Sequence, residues 1–240
     1  MINQQDIFRE INSLDNATQQ AIFQMLRERL QIHPLEQRWN IPAEFILEAI
    51  SRSQDITQRG VRGIIAELCF THYVLQPLAA RGWQEVPIFG DQPYDSLIEK
   101  WGIGQIKIQT KNQRLERGTP KYTGPKMARS YPYTEGWYIC ETQKTRTGTD
   151  SDGNATRPYR FGEFDILSVC LHPSTGDWSR FIFCPAHTLI PSDKDPQLIA
   201  TFQPVPSGPI GNWTMNLEEA IEWHVNRRTY DYGTRVGELF

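Results

Sequence analysis

The sequence predicts an α/β (α+β) fold, with a central mixed sheet flanked by helices and an N-terminal helical subdomain in front of it. Three observations carry that reading. Residues 1–56 set apolar side chains at helical spacing. Residues 57–111 pass from one long helical stripe to short alternating runs. Three later runs rich in aromatic and β-branched residues then precede a last amphipathic helix. The expected division is 1–56 for the helical arm and 57–240 for the larger domain.

In the arm, Ile7, Ile11 and Leu14 keep helical spacing, and Ala21, Ile22, Met25 and Leu26 repeat it behind an Asn16 cap. Pro42 opens a further segment, PAEFILEAI, as proline does at a first helical position. From Thr57 a longer helix is expected, with Val61, Ile64, Ile65, Leu68 and Tyr73 as its apolar stripe and Pro77 and Gly82 marking its end. WQEVPIF, YDSLIEK and GIGQIKIQTK then read as three short strands, the last two joined at Trp101-Gly102. GWYICETQ, YRFGEFDILSVCL and WSRFIFCP supply further strands, and LEEAIEWHVNRR closes the chain as a helix.

Composition narrows the functional classes. The chain is 39% apolar and 11% aromatic, which argues against disorder. No run of 18 apolar residues exists to span a membrane, and the N-terminus lacks the basic start and apolar core of a signal peptide, so a cytoplasmic protein is expected. Cys69, Cys140, Cys170 and Cys184 form no CxxC pair, and the five histidines show no HExxH spacing. Asp150-Ser-Asp152-Gly-Asn154 imitates part of a calcium loop, but Gly148 and Tyr159 occupy the places that need acids. Gly102-x-Gly104 is followed by no helix, and Asp165 reads as structural.

Charge is unevenly spread. Net charge is −3, yet residues 105–160 hold eleven Lys or Arg against five acids, a segment of +6 in a frame of −9. Such a local field suits a phosphate backbone. Next to it, Gln105, Lys107, Gln109 and Lys111 share one strand face while Ile106 and Ile108 take the other. A hairpin about Trp101-Gly102 brings Asp95 near that strand, so a carboxylate, an amide and an ammonium converge. Metal-assisted phosphodiester hydrolysis needs those groups.

The order of a helix glutamate in QRGVRGIIAELCF, an aspartate in Pro93-Tyr94-Asp95 and then Gln105-Ile106-Lys107 resembles the PD-(D/E)xK nuclease superfamily, in a QxK variant. The later text, GWYICETQKTRTG to WSRFIF, is similar to type II restriction endonuclease-like proteins, and the resemblance spans about Gln58 to Cys184. It implies a restriction-endonuclease-like core. It also implies a Mg²⁺ site formed by Asp95, Gln105, the Ile106 carbonyl and Glu67, with Lys107 acting on the water. Gln109-Thr110-Lys111 has the same form, one turn of the pattern further on; the apolar middle residue favours 105/107. The implied activity is site-specific cleavage of double-stranded DNA to 5′-phosphate and 3′-hydroxyl ends, by a homodimer. Lys111, Arg114, Arg117, Lys121, Lys126 and Arg129 are the expected DNA contacts. The alternatives are a structure-specific nuclease for branched or damaged DNA, and a DNA-binding protein made inactive by the loss of an acid at Gln105.

Overall fold

The computed structural model describes residues 3–29, 33–144 and 157–232. Arg146 and the calcium-like stretch 150–154 lie outside them. The chain divides into two units, Met1–Arg59 and Gly60–Phe240.

The first unit is a succession of helices: α1 (Gln4–Ser13), α2 (Asn16–Arg29), α3 (Pro34–Trp39), α4 (Ala43–Ser51) and the start of α5 (Asp55–Phe70). The cap of α2 is Asp15 and not Asn16. Its carboxylate accepts the backbone N–H groups of Ala17 and Thr18 at 3.0 Å, and an ionised oxygen suits the positive end of the helix better than an amide does. Pro34 opens α3, a short helix that its sequence had not signalled.

In the second unit, α5 buries Ala66 and Phe70, while Ile64 and Leu68 of the expected stripe stay exposed. Pro77 does not end the helix. A π-helical turn (Thr71–Leu75) resets the hydrogen-bond register, and Pro77 then sits at the start of α6 (Gln76–Ala79), where its missing N–H leaves no gap in the ladder.

The sheet has five strands in the order β1 (Gln84–Glu85), β2 (Ser96–Lys100), β3 (Gly104–Asn112), β7 (Ile166–Cys170) and β8 (Phe181–Pro185). It is mixed: β3 runs parallel to β7, and the other neighbours are antiparallel. Between β3 and β7 come the hairpin β4 (Leu115–Glu116) and β5 (Thr119–Pro120), the helix α7 (Pro125–Ser130) and β6 (Tyr138–Glu141). A short α8 (His172–Thr175) links β7 to β8. β6 forms a separate ribbon with β9 (Phe202–Val205), and α9 (Leu217–Val225) is the last element described. Strand alternation gives the sheet two buried faces. One packs Ile98, Ile106, Ile108, Ile166, Phe181 and Phe183 against Phe70, Leu78 and Ile221 of the helices. The other packs Leu167, Val169 and Ile182 against Cys140, Tyr159, Phe164 and Val205. The expected class, a central mixed sheet flanked by helices, is the one observed. All four cysteines are free, three of them buried.

Candidate active site on the β2–β3 hairpin

The position of every polar group here follows from one turn. Gly102 and Gly104 adopt φ of +82° and +96°, conformations open to glycine at no steric cost, and they fold β3 back on β2. Pairing then runs from Lys100 opposite Gly104 to Ser96 opposite Ile108. One step further, the Asp95 N–H donates to the Ile108 carbonyl at 3.0 Å, which puts the Asp95 side chain beside Gln109.

Asp95 Oδ2 accepts the Thr110 backbone N–H at 2.9 Å and a very short hydrogen bond from the Gln109 amide. Burial pushes the Asp95 carboxyl above the usual aspartate range, against the opposing pull of the Lys111 ammonium and the Thr110 N–H. Glu67 arrives from α5. Burial first, then the nearby charge of Asp95, raises its carboxyl to about 7, and Lys111 offsets part of that rise. The meeting of helix and strand is fixed by Asn112, whose Nδ2 donates to the Arg62 carbonyl at 2.8 Å. Two carboxylates and one ammonium therefore share a half-buried site.

The second Gln-x-Lys triplet, Gln109-Thr110-Lys111, is thus the one gathered around Asp95 and Glu67. Gln105 lies exposed near the turn, where its amide donates to half-buried Glu99 at 3.2 Å. Ile106 is in the apolar core. The Lys107 ammonium lies 5.9 Å from the centre of the Tyr94 ring, and its backbone N–H donates to Asp165 Oδ2 at 2.8 Å. Asp165 also faces His224 Nε2 at 3.4 Å, which accounts for its carboxylate as a structural group. The register explains why Asp95 meets the second triplet and not the first. A turn centred near Gly102 pairs residue 95 with residue 109, not with 105.

Tyr159 and Lys144 complete the surroundings, and neither had a sequence signal. The Tyr159 ring is buried, with the Lys111 ammonium 5.6 Å and the Lys144 ammonium 5.4 Å from its centre. Lys144 is itself held by Glu163 at 2.7 Å. Burial, followed by the charge of Asp95, keeps the Tyr159 phenol protonated well above its ordinary range.

The donors fit a hard divalent cation. Asp95 and Glu67 give carboxylate oxygens, Gln109 an amide oxygen, and Thr110 a carbonyl 3.4 Å from the Gln109 amide nitrogen. Among the described residues no group of three or more His, Cys, Asp and Glu gathers, so a transition-metal cage is not built here. Carboxylate and amide oxygens are the hard donors that Mg²⁺ would take together with retained water.

The expected DNA contacts separate into two groups. Arg114 pairs with Glu141, Lys121 with Glu116 at 2.9 Å, and Lys126 with Asp193 at 3.4 Å. Arg117 and Arg129 are exposed and form no ion pair among the described residues. Arg117 sits at the tip of the β4–β5 hairpin with φ of +52°, next to Gly118 at +81°.

No protein-family profile matches the chain, and no curated protein does. Among solved structures it is similar to a bacterial homing endonuclease, 21% identical over 56% of this chain and 80% of that one, with a TM-score of 0.33.

Among the described residues, no helix is long and apolar enough to cross a membrane.

Proposed function

We propose that this protein is a Mg²⁺-dependent, site-specific endonuclease of double-stranded DNA, restriction-like in type, whose centre is Glu67, Asp95, Gln109 and Lys111. The observation that carries the reading is the convergence of these four residues, from one helix and two paired strands, beside a basic segment. Structural ion pairs seldom place two carboxylates in a site where burial raises both, because the repulsion destabilises the fold. A site that binds a dication has a use for that arrangement.

When bound, Mg²⁺ would supply Lewis acidity at the scissile phosphate and lower the pKa of a nearby water. The protein's own groups do the rest. Asp95, anchored by Thr110 N–H, holds the cation's place at the end of β2. The Gln109 amide turns between donating to Asp95 and offering its oxygen, the two ends of an amide being interchangeable by a half-rotation. Glu67 faces Asp95 from α5 and serves as acceptor for the proton of the attacking water. Lys111, steadied over Tyr159, sets a positive charge where the pentavalent phosphorus becomes more negative. Arg117 and Arg129 reach phosphate or base edges, arginine being suited to the O6 and N7 of guanine.

Incubating the protein with supercoiled plasmid and Mg²⁺ tests this. Discrete fragments with 5′-phosphate ends, absent when EDTA is added, are the expected outcome. Cleavage confined to branched substrates would reassign the substrate, and no cleavage with any divalent ion would refute the reading.

A further inference from the structure

Just past β6 the chain carries a lysine that the four-residue centre does not include. Lys144 stands on a pinned backbone. Its N–H donates to the Arg157 carbonyl at 2.9 Å, its carbonyl accepts Arg157 Nε at 3.3 Å, and the Gln143–Pro158 bridge lies beside it. Two residues earlier, Thr142 Oγ1 donates to the Ala200 carbonyl at 2.7 Å. The Lys144 ammonium comes within 5.4 Å of the centre of the Tyr159 ring, the same ring that has the Lys111 ammonium at 5.6 Å. That ring has the proposed centre and Glu163 as neighbours: after burial, the charges of Asp95, Glu163 and, more weakly, Glu67 raise its phenol.

Stability alone is a poor reason for this arrangement. Two ammoniums around one ring repel each other, and a part-buried ion pair gains little over an apolar pair of the same size. Lys144 and Glu163 are 28% and 25% exposed, so a ligand can still reach them. Among the described residues the Lys144 side chain makes one hydrogen bond, to Glu163 at 2.7 Å, while an ammonium has three donors. Glu163 does not depend on the lysine either, because its second oxygen accepts the Arg160 N–H at 2.9 Å.

We infer that Lys144 binds a DNA phosphate next to the one being cleaved, with Glu163 as the acid that holds its ammonium in place until DNA arrives.

Spacing supports the assignment. The two ammoniums are no further apart than their two distances to the ring centre added together. A phosphate recurs every ~3.4 Å of helix axis along one strand, so a span of that size covers neighbouring phosphates. With Lys111 facing the scissile phosphate, Lys144 meets one of its neighbours. A compact ammonium on a flexible stem suits the exchange, since it can keep Glu163 with one N–H and offer the others to phosphate.

The inference takes its partner from the proposed function, and its test is binding, so that the two fail separately. The full chain is titrated with a DNA duplex of mixed sequence in EDTA, by fluorescence anisotropy, from about 50 to about 200 mM salt. Each phosphate contact adds about 0.9 to the slope of log affinity against log salt. Lys144→Gln should make that slope shallower by about 0.9 and weaken binding about tenfold at the low-salt end. Lys144→Arg should keep the slope. Glu163→Gln loses the same ion pair, yet it should bind as tightly as the parent or tighter, since nothing competes with phosphate for the ammonium. Thermal melts of both Gln variants tell lost stability apart from a lost contact.

A Lys144→Gln slope equal to the parent's overturns the inference, and so does a Glu163→Gln protein weakened as much as Lys144→Gln. Reductive methylation of the parent, read by mass spectrometry with and without duplex, covers variants that do not fold. Lys144 should lose reactivity on binding, and unchanged reactivity there in the bound protein defeats the inference. Duplex binding with a Lys144-dependent slope but no cleavage with any divalent ion upholds Lys144 while the nuclease reading falls. Mg²⁺-dependent cleavage with an unaltered slope does the reverse, and a parent that binds no duplex sinks both.

Discussion

β3 carries a Gln-x-Lys triplet twice, and the two copies live in different surroundings. Gln105-Ile106-Lys107 begins one residue after the turn, its amide against half-buried Glu99 and its ammonium over Tyr94. Gln109-Thr110-Lys111 lies opposite Asp95, with Glu67 and the Tyr159 ring around it. The Gln and Lys side chains are the same in both, so any difference in their role comes from burial and neighbours. The lower copy is solvated and satisfied. The upper one holds Lys111 as the charge that faces two crowded carboxylates, and removal of a group like that from a half-buried centre is costly.

The largest expected effect follows at once. Lys111→Ala should reduce cleavage by about 10²–10³-fold with DNA affinity changed far less, since a charge aimed at the transition state acts mostly on turnover. Single-turnover rates and filter binding on both lysine variants measure the contrast. If Lys107→Ala is the more damaged of the two, the centre belongs to the lower triplet.

Much of this was legible beforehand, and the part that was not has a physical cause. The roles of Glu67 and Asp95 as candidates came from order along the chain, and the alternation on β3 placed all four polar residues on one face. Choosing between triplets required the register, which the turn glycines determine: counting outward from Gly102 pairs 95 with 109. Preference for an apolar middle residue pointed the other way because it weighed strand propensity, whereas Thr110 is a good strand residue and its N–H is taken by Asp95. Tyr159 and Lys144 approach β3 from far along the chain, and no local pattern announces such a contact. The apolar stripe of α5 misled for a similar reason. Ile64 and Leu68 are periodic, yet the smaller Ala66, with Phe70, faces the sheet.

Glu67 gives the next effect, and its sign is fixed by the raised pKa. With the folded carboxyl at about 7 and its ordinary value at 4.5, the folded state holds the proton more firmly than the unfolded chain does. Its stabilising contribution is therefore complete below pH 4.5 and lost as pH rises through about 7. Without metal, the melting temperature should therefore fall as pH rises through about 7 and the carboxylate forms. Glu67→Gln should flatten that fall, raise the metal-free melting temperature at pH 8, and lower the cleavage rate. A variant whose metal-free melting temperature still falls over that range would place the titration elsewhere.

A smaller effect concerns the platform beneath the upper lysine. A cation over an aromatic face is worth roughly 0.5–2 kcal/mol, more where water is excluded. Tyr159→Phe keeps the ring and should cleave within about threefold of the parent. Tyr159→Leu removes the face from both Lys111 and Lys144 and should cost about tenfold in kcat. Thermal melts of both variants separate this from lost packing against Phe164, whose ring centre is 5.3 Å away. Equal rates in Phe and Leu variants of equal stability would mean that the ring does not position Lys111.

The smallest effect is the one that makes the comparison strict. Lys107→Ala leaves the strand's anchor in place, because Asp165 accepts the backbone N–H of residue 107 and not its ammonium. What disappears is one contact with Tyr94 at the accessible end of the face, at the weak end of the cation–π range. A loss of about 0.5 kcal/mol in a domain of this size lowers the melting temperature by roughly 1–2 °C. Cleavage should stay within about threefold, and the Mg²⁺ concentration for half-maximal rate should not move. A shift in that concentration would tie Lys107 to the cation's surroundings and blur the boundary between the two triplets.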